Sequence, residues 1–388
     1  MQNQGSNNAP LQSVGALYAH VPFCLSKCGY CDFYSLADSI ELAEPCLAAI
    51  ELELERFEHV IARPLDTIFV GGGTPTALEP TLLGKLLAKL AQYGDDGTEF
   101  SVEANPCTIT PQIAAILSKA GVNRVNIGAQ SFVQAELKAL GRLHDPQRIK
   151  TAWETLRGEG IARLGLDLIC AAPGQDLDSW RFSLDEALSL EPEHLSCYAL
   201  TVEPNTDIGR LRRSGQFVEM GESQQADCYR VAVQTAGAAG LKQYEISNFA
   251  APGMQCRHNL TYWRNEAYLG VGPAAASYVS GVRRTNKPDV AAYVQALQDD
   301  RQPPHESEKL TGRAEMGETM MLALRMNDGV DRQAFVERFG SDPTEAFGPV
   351  IGRYRDQGAI LVDNERIRIA PGVMLVSNTI IADILSEV

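Results

Sequence analysis

From Tyr18 to about Ala239 the chain repeats one unit, a short apolar run followed by a turn and a stretch with apolar residues at helical spacing. The strand runs are Tyr18–Val21, Leu65–Val70, Glu99–Ala104, Arg124–Gly128, Leu164–Ile169 and His194–Leu200. Helical patterns cover Ile40–Val60, Glu79–Ala91, Thr110–Ala120, the span from Gln134 to Gly158, Leu177–Leu190 and Gln224–Ala239. Strands alternating with helices at this spacing form successive βαβ units and a parallel sheet. Six such units are too few to close an eight-unit barrel, so an α/β fold built on a partial (β/α)6 barrel is expected. Such folds place their chemistry on the loops beyond the strand ends.

The loop after the first strand is the richest in chemistry. Tyr18 to Phe33 reads Y-A-H-V-P-F-C-L-S-K-C-G-Y-C-D-F, with Cys24, Cys28 and Cys31 in C-x-x-x-C-x-x-C spacing. Pro22 has no N–H and ends the strand ladder. Thiolates are soft ligands suited to iron–sulfur clusters. Three of them can hold three irons of a [4Fe-4S] cluster and leave the fourth open to a small molecule. A structural zinc site closes with four ligands, and no fourth Cys or His follows at zinc-finger spacing. His20 lies upstream, where period-2 alternation makes it a strand residue as readily as a ligand. Tyr18, Phe23, Tyr30 and Phe33 surround the thiols with aromatic surface.

Later strand ends carry further candidates. Gly71-Gly72-Gly73 follows the second strand, and three residues without Cβ let backbone approach a ligand closely. Glu103, Gln130 and Asp167 sit at the ends of the next three strands. A carboxylate within an apolar strand is costly unless paired, so such residues face the barrel mouth or lumen. Arg142 is a candidate partner for Asp167.

Composition narrows the class. The net charge of -15 and the lack of a basic stripe argue against nucleic acid as partner. No apolar run reaches membrane-spanning length, although peripheral contact with a membrane or a protein remains open. The cysteines outside the loop (Cys46, Cys107, Cys170, Cys197, Cys228 and Cys256) are far apart and expected to be free thiols in a reducing cytoplasm. Residues 1–13 read as a polar, frayed tail without the features of a signal peptide. The barrel is expected over 14–250, a connecting segment rich in aromatics and glycine over 251–304, and a small, mainly helical C-terminal domain over 305–388. Helices at Gly312–Leu324 and Arg332–Phe339, the hairpin L-V-D-N-E-R-I-R-I and a last helix at Ser377–Leu385 suggest a winged-helix-like module.

The cysteine spacing, with an aromatic just before the last Cys, resembles the radical S-adenosylmethionine (SAM) superfamily. The wider string H-V-P-F-C…C-x-Y-C-D-F is similar to the branch that holds oxygen-independent coproporphyrinogen III oxidase and the heme chaperones related to it. The resemblance runs from Tyr18 into the C-terminal module, which it makes the C-terminal domain of that branch. It implies a cluster on Cys24, Cys28 and Cys31, whose open iron binds SAM. It also implies SAM contacts from Tyr18, Gly72 and Glu103, and from Tyr30, Gly73, Thr74, Gln130, Arg142 and Asp167 toward a second SAM position.

Two features bear on function within that branch. Where the oxidase has a further cysteine after its cluster cysteines, this chain has Phe33. His258-Asn259-Leu260-Thr261-Tyr262-Trp263 matches the H-N-x-x-Y-W of the heme chaperones, in which an imidazole is a suitable axial ligand for heme iron. The packed alternative is an ordinary hydrogen-bonded histidine. C-R-H at Cys256–His258 is not a covalent heme attachment site. A departure follows at G-V-G-P-A-A-A-S-Y, where Ala276 replaces a histidine usual in relatives. The leading expectation is a heme-binding chaperone that passes heme to a client protein. The alternatives are a tetrapyrrole-modifying radical SAM enzyme, such as the oxidase, and a protein that keeps the cluster for stability or redox sensing.

Overall fold

The computed structural model describes residues 13–37 and 39–388. The tail expected over 1–13 therefore lies, except for Ser13, outside the described residues. Six parallel strands lie side by side in chain order: β1 (Ala16–Val21), β2 (Thr67–Gly72), β3 (Glu99–Ala104), β4 (Arg124–Gln130), β5 (Arg163–Cys170) and β6 (His194–Ala199). Helices connect them, as the alternating pattern demands, and side-chain caps fix several helix starts. Thr110 accepts from the Ile113 N–H, Asp145 from the Arg148 N–H, and Asp176 forms a capping box with Ser179.

Each strand has two different faces. Ile68, Val70, Val102, Val125, Ile127, Leu164, Leu166 and Leu195 are buried in the main apolar core with helix residues such as Leu83, Leu117, Trp153 and Trp180. The alternate residues share the opposite face. There the rows read Thr67, Phe69, Gly71; Glu99, Ser101, Glu103; Arg124, Asn126, Gly128; Arg163, Gly165, Asp167; and His194, Ser196, Tyr198. The register aligns Glu103 with Asn126, Gly128 with Asp167, and Asp167 with Ser196. The polar groups thus converge inside the barrel.

The sheet gains short edge strands on both sides and stays open. Leu269–Val271 pairs parallel to β1, which extends the barrel sheet into the stretch read as a connecting segment. Asn248–Ala250 pairs antiparallel to β6 and to Lys242–Gln243. Lys242–Gln243 and Asn248–Ala250 thus form a small hairpin that turns at 244–247.

A second core lies in the C-terminal module, where Met320, Phe335, Ile351, Ile367 and Ile381 pack together. Its helices Arg313–Ala323, Arg332–Phe339, Gly348–Asp356 and Ser377–Leu385 surround a three-stranded sheet. The expected hairpin is formed by Ile360–Val362 and Arg366–Ile369. Leu260 and Trp263 pack against this core from the helix Arg257–Trp263, which joins the module to the barrel.

Candidate cofactor site

The cysteine loop leaves β1 at Val21 and is held on three sides. The Gly73 N–H donates to the Val21 carbonyl at 2.8 Å and the Thr74 N–H to that of Phe23 at 2.7 Å. Within the loop, the Gly29 N–H donates to the Leu140 carbonyl at 3.1 Å, and the Ile208 N–H donates to the Gly29 carbonyl at 2.9 Å. These bonds fix the loop at the C-terminal end of the barrel.

All three loop thiols are free and partly exposed. Cys24 Sγ stands 3.5 Å from Thr74 Oγ1, and Arg142 Nη1 donates to Cys28 Sγ at 3.3 Å. Burial pushes the Cys31 thiol up, and the neighbouring Cys28 and Cys24 add to the shift. Among the described residues no three His, Cys, Asp or Glu side chains converge on a single metal ion. A four-iron cluster instead spreads one thiolate to each of three irons. The set of three soft donors on one anchored loop fits that demand, and the buried Arg142 Nε beside it has no partner.

The glycine triplet is required by close packing at the same end. A Cβ on Gly71 would stand 2.6 Å from Glu103 Oε2, and one on Gly73 would stand 2.7 Å from the Phe23 carbonyl oxygen. Gly72 has φ of 104° and donates its N–H to Glu103 Oε2 at 3.1 Å. Tyr18 lies near Glu103 and its hydroxyl is 3.0 Å from His20 Nδ1. Tyr18, Gly72 and Glu103 thus share one corner.

The other group lies nearer the thiols. Arg142 Nη2 donates to the Gly128 carbonyl at 2.5 Å, and its charge reaches Tyr30 and Asp167. Gln130 has φ of 68° at a register shift in β4, and its amide crowds the same Gly128. Gly73 and Thr74 border the group at Phe23 and Cys24. The structure therefore gathers the loop cysteines and the residues named from sequence for SAM around one mouth.

The interior tunes the carboxyls. Burial and, after it, the charge of Asp167 raise Glu103 to about 7, against the opposing hydrogen bond from the Gly72 N–H. Burial raises Asp167 to about 6, against a hydrogen bond from Ser196 and the charge of Arg142. Ser196 was not singled out from sequence, nor was His144, whose Nε2 donates to the Ala129 carbonyl at 3.0 Å. The signal for Ser196 was available in the polar alternation His194, Ser196, Tyr198.

His258 is placed differently from the expectation of an open heme ligand. It lies in the helix Arg257–Trp263 and meets the barrel at its other end, where Thr67 and Glu99 begin β2 and β3. Its Nδ1 is 2.8 Å from Thr67 Oγ1 and its Nε2 is 2.8 Å from the Tyr262 hydroxyl. The ring is buried and stacks on Phe69 at 5.2 Å between centroids. Its backbone N–H donates to Glu99, which also pairs with the buried Arg124. With both ring nitrogens engaged, His258 presents no lone pair to iron in this fold, and burial holds its imidazole down at about 3.

An open pocket of about 390 Å³ lies beside the cysteine loop, lined by Tyr18, His20, Phe33, Tyr262, Tyr268 and Ala276 among others. Phe33 is 71% exposed there. Ala276, the residue found in place of the usual histidine, thus lies on the pocket wall.

The barrel, its three-cysteine loop and the glycine turn define a radical SAM protein, and the model of the Radical SAM superfamily matches residues 18–187. The HemN C-terminal domain model matches residues 310–372. The chain is 35% identical to the heme chaperone HemW of Bacillus subtilis, over 95% of this chain and 99% of that protein. It is 40% identical to the heme chaperone HemW of Escherichia coli, over 68% of this chain and 70% of that protein. The chain belongs to the HemW family. Its fold is also that of the E. coli coproporphyrinogen III oxidase HemN, described as a radical SAM enzyme, with a TM-score of 0.83, 20% identity, and coverage of 97% of this chain and 91% of that one. Membership in the superfamily implies a [4Fe-4S] cluster and SAM.

Proposed function

We propose that this protein is a heme chaperone that binds heme at the barrel mouth and passes it to a client protein. The observation that carries the reading is the open tyrosine-lined pocket directly beside the three-cysteine loop. A porphyrin is flat and largely apolar, and an aromatic wall with a few polar groups is the kind of surface that receives it. The absence of a cysteine at Phe33 weighs against the oxidase reaction.

In this reading Cys24, Cys28 and Cys31 hold the cluster. Tyr18, Gly72 and Glu103 line one SAM position, and Tyr30, Gly73, Thr74, Gln130, Arg142 and Asp167 line the approach to a second. When bound, the cluster supplies one electron to the sulfonium of SAM. Arg142 orients the loop by joining Cys28 to the Gly128 carbonyl. Glu103, raised to about 7, is partly protonated at neutral pH and can accept or donate to a ligand amine. We also place the protein in a reducing cytoplasm, consistent with free thiols throughout. No helix among the described residues is long and apolar enough to cross a membrane.

The test is an anaerobic heme titration of the cluster-loaded protein, followed by addition of an apo-heme protein as acceptor. Stoichiometric heme uptake and its loss to the acceptor are expected. A parallel incubation with SAM, reductant and coproporphyrinogen III should leave the tetrapyrrole unchanged; a decarboxylated product would make the protein an enzyme instead.

A further inference from the structure

The pocket beside the cysteine loop draws its residues from two stretches of chain. Strand β1 and the loop supply Tyr18, His20 and Phe33, and the stretch 262–276 supplies Tyr262, Tyr268 and Ala276. The second stretch is anchored to the barrel at its centre. There Leu269–Val271 pairs with β1, and the Gly272 N–H donates to the buried Glu53 carboxylate at 2.9 Å.

Both flanks of that stretch are held by the C-terminal module. Asn265, just past the helix Arg257–Trp263, is buried and turns the chain with φ of 52°. Its side-chain amide donates to Glu318 Oε2 at 3.2 Å and to Thr319 Oγ1 at 3.1 Å. Its backbone carbonyl accepts from Arg338 Nη1 at 2.7 Å. On the other flank, the Tyr278 hydroxyl accepts from Arg338 Nη2 at 2.6 Å. The same Nη2 pairs with Glu315 at 2.9 Å, which holds the guanidinium against its own module.

This clamp bears directly on the pocket. The Asn265 N–H donates to the Tyr262 carbonyl at 3.0 Å. Tyr278 exchanges backbone hydrogen bonds with Tyr268 at 2.9 and 2.8 Å, and Tyr268 meets Tyr262 edge-on at 4.6 Å between centroids. A shift of either flank is therefore passed to an aromatic side chain of the wall. A guanidinium presents its donors in a rigid planar fork. It fixes its two acceptors relative to each other as well as to the module, and hydrogen bonds from a charged donor are the stronger kind.

We propose that Arg338 of the C-terminal module is a positioning residue for the pocket: by clamping Asn265 and Tyr278 it sets the placement of Tyr262 and Tyr268, and with it the rate at which heme leaves. This rests on the heme-binding reading above. Arg338 acts through those tyrosines and is not itself among the residues that line the pocket.

The test follows transfer of heme from the cluster-loaded, full-length protein to excess apomyoglobin by stopped-flow absorption. Arg338→Met keeps much of the side-chain bulk and removes the fork; it should release heme at least about tenfold faster than wild type. Tyr278→Phe removes one of the clamped groups and should speed release to a smaller extent. Asn327→Ala is the control. Asn327 ties the module to the opposite edge of the barrel sheet, where its Nδ2 donates to the Gln243 carbonyl at 2.7 Å, and its loss should leave the rate unchanged. Cluster iron and SAM binding should match wild type in every variant. A wild-type rate in Arg338→Met overturns the proposal. Equal acceleration in Asn327→Ala, or a parallel loss of cluster or SAM binding in Arg338→Met, also overturns it, since either marks a general loosening. Should Arg338→Met fail to fold, a wild-type rate in Tyr278→Phe overturns it. Failure of wild type to bind heme overturns the heme-binding reading itself.

Discussion

His258 Nε2 lies 2.8 Å from the hydroxyl of Tyr262, one turn further along the same helix. The pair links a buried imidazole at one end of the barrel to the tyrosine-lined pocket near its mouth. Replacing His258 by Ala leaves a cavity and strands the hydroxyls of Thr67 and Tyr262. The expected cost is about 2–4 kcal/mol of folding stability. Urea unfolding of the purified protein measures it; a loss well below 1 kcal/mol would contradict a structural role.

The same imidazole gives stability a pH dependence of known sign. It is held at about 3 in the fold, against 6.5 for the ordinary group. Below pH 6.5 the unfolded chain takes up a proton that the folded chain refuses, so this contribution is complete above that pH and declines as pH falls toward 3. The slope is about 1.4 kcal/mol per pH unit. His194 and His144 act in the same direction, so the comparison must be with a variant. Between pH 7 and pH 5 the wild type should lose about 2 kcal/mol more than His258→Gln, as measured by urea unfolding at both pH values.

Glu103 has the opposite sign. Its carboxyl is raised to about 7 from 4.5, so its charge costs nothing well below pH 4.5 and progressively more up to pH 7. In the cofactor-free chain, Glu103→Gln keeps an acceptor for the Gly72 N–H and removes the charge. Its advantage over wild type should grow by about 2–3 kcal/mol from pH 5 to pH 8. Thermal or urea unfolding at the two pH values checks this, and an advantage that stays flat with pH would refute it.

Gly73→Ala drives a methyl group against the Phe23 backbone, at 2.7 Å from its oxygen and 2.8 Å from its nitrogen. Backbone atoms on both sides leave no flexible side chain to move. A destabilisation of about 1–3 kcal/mol is expected. Because Phe23 precedes Cys24, iron and sulfide content after reconstitution should fall as well. Full cluster content in this variant would show that the turn is more pliant than the packing implies.

Each of Cys24→Ala, Cys28→Ala and Cys31→Ala should abolish the four-iron cluster, since the loop offers only three thiols. Cys46→Ala and Cys228→Ala, buried among apolar residues, should retain it. Iron and sulfide analysis with electron paramagnetic resonance of the reduced protein distinguishes the two groups. Wild-type cluster content in any loop variant removes that thiol from the ligand set.

Much of the barrel was legible because its signals are local. Period-2 and period-3.6 patterns depend on neighbours in sequence, and they predicted six parallel strands and their helices. The cysteine spacing, the glycine triplet and the carboxyls at strand ends are likewise short-range patterns, each attached to the end of a recognisable strand. The edge strands were less legible. Leu269–Val271 and Asn248–Ala250 are three residues each, too short for periodicity to register, and their pairing with β1 and β6 is set by long-range hydrogen bonding.

The sequence alone determined an α/β barrel whose first loop carries three soft ligands and whose later strand ends carry polar groups. Only the tertiary structure decided what each polar residue faces. His258 looks available as a ligand in one dimension. In three, Thr67 and Tyr262 occupy both nitrogens of His258. A side chain's hydrogen-bond partners come from strands and helices distant in the chain. Ligand availability is therefore a property of packing that no local pattern encodes.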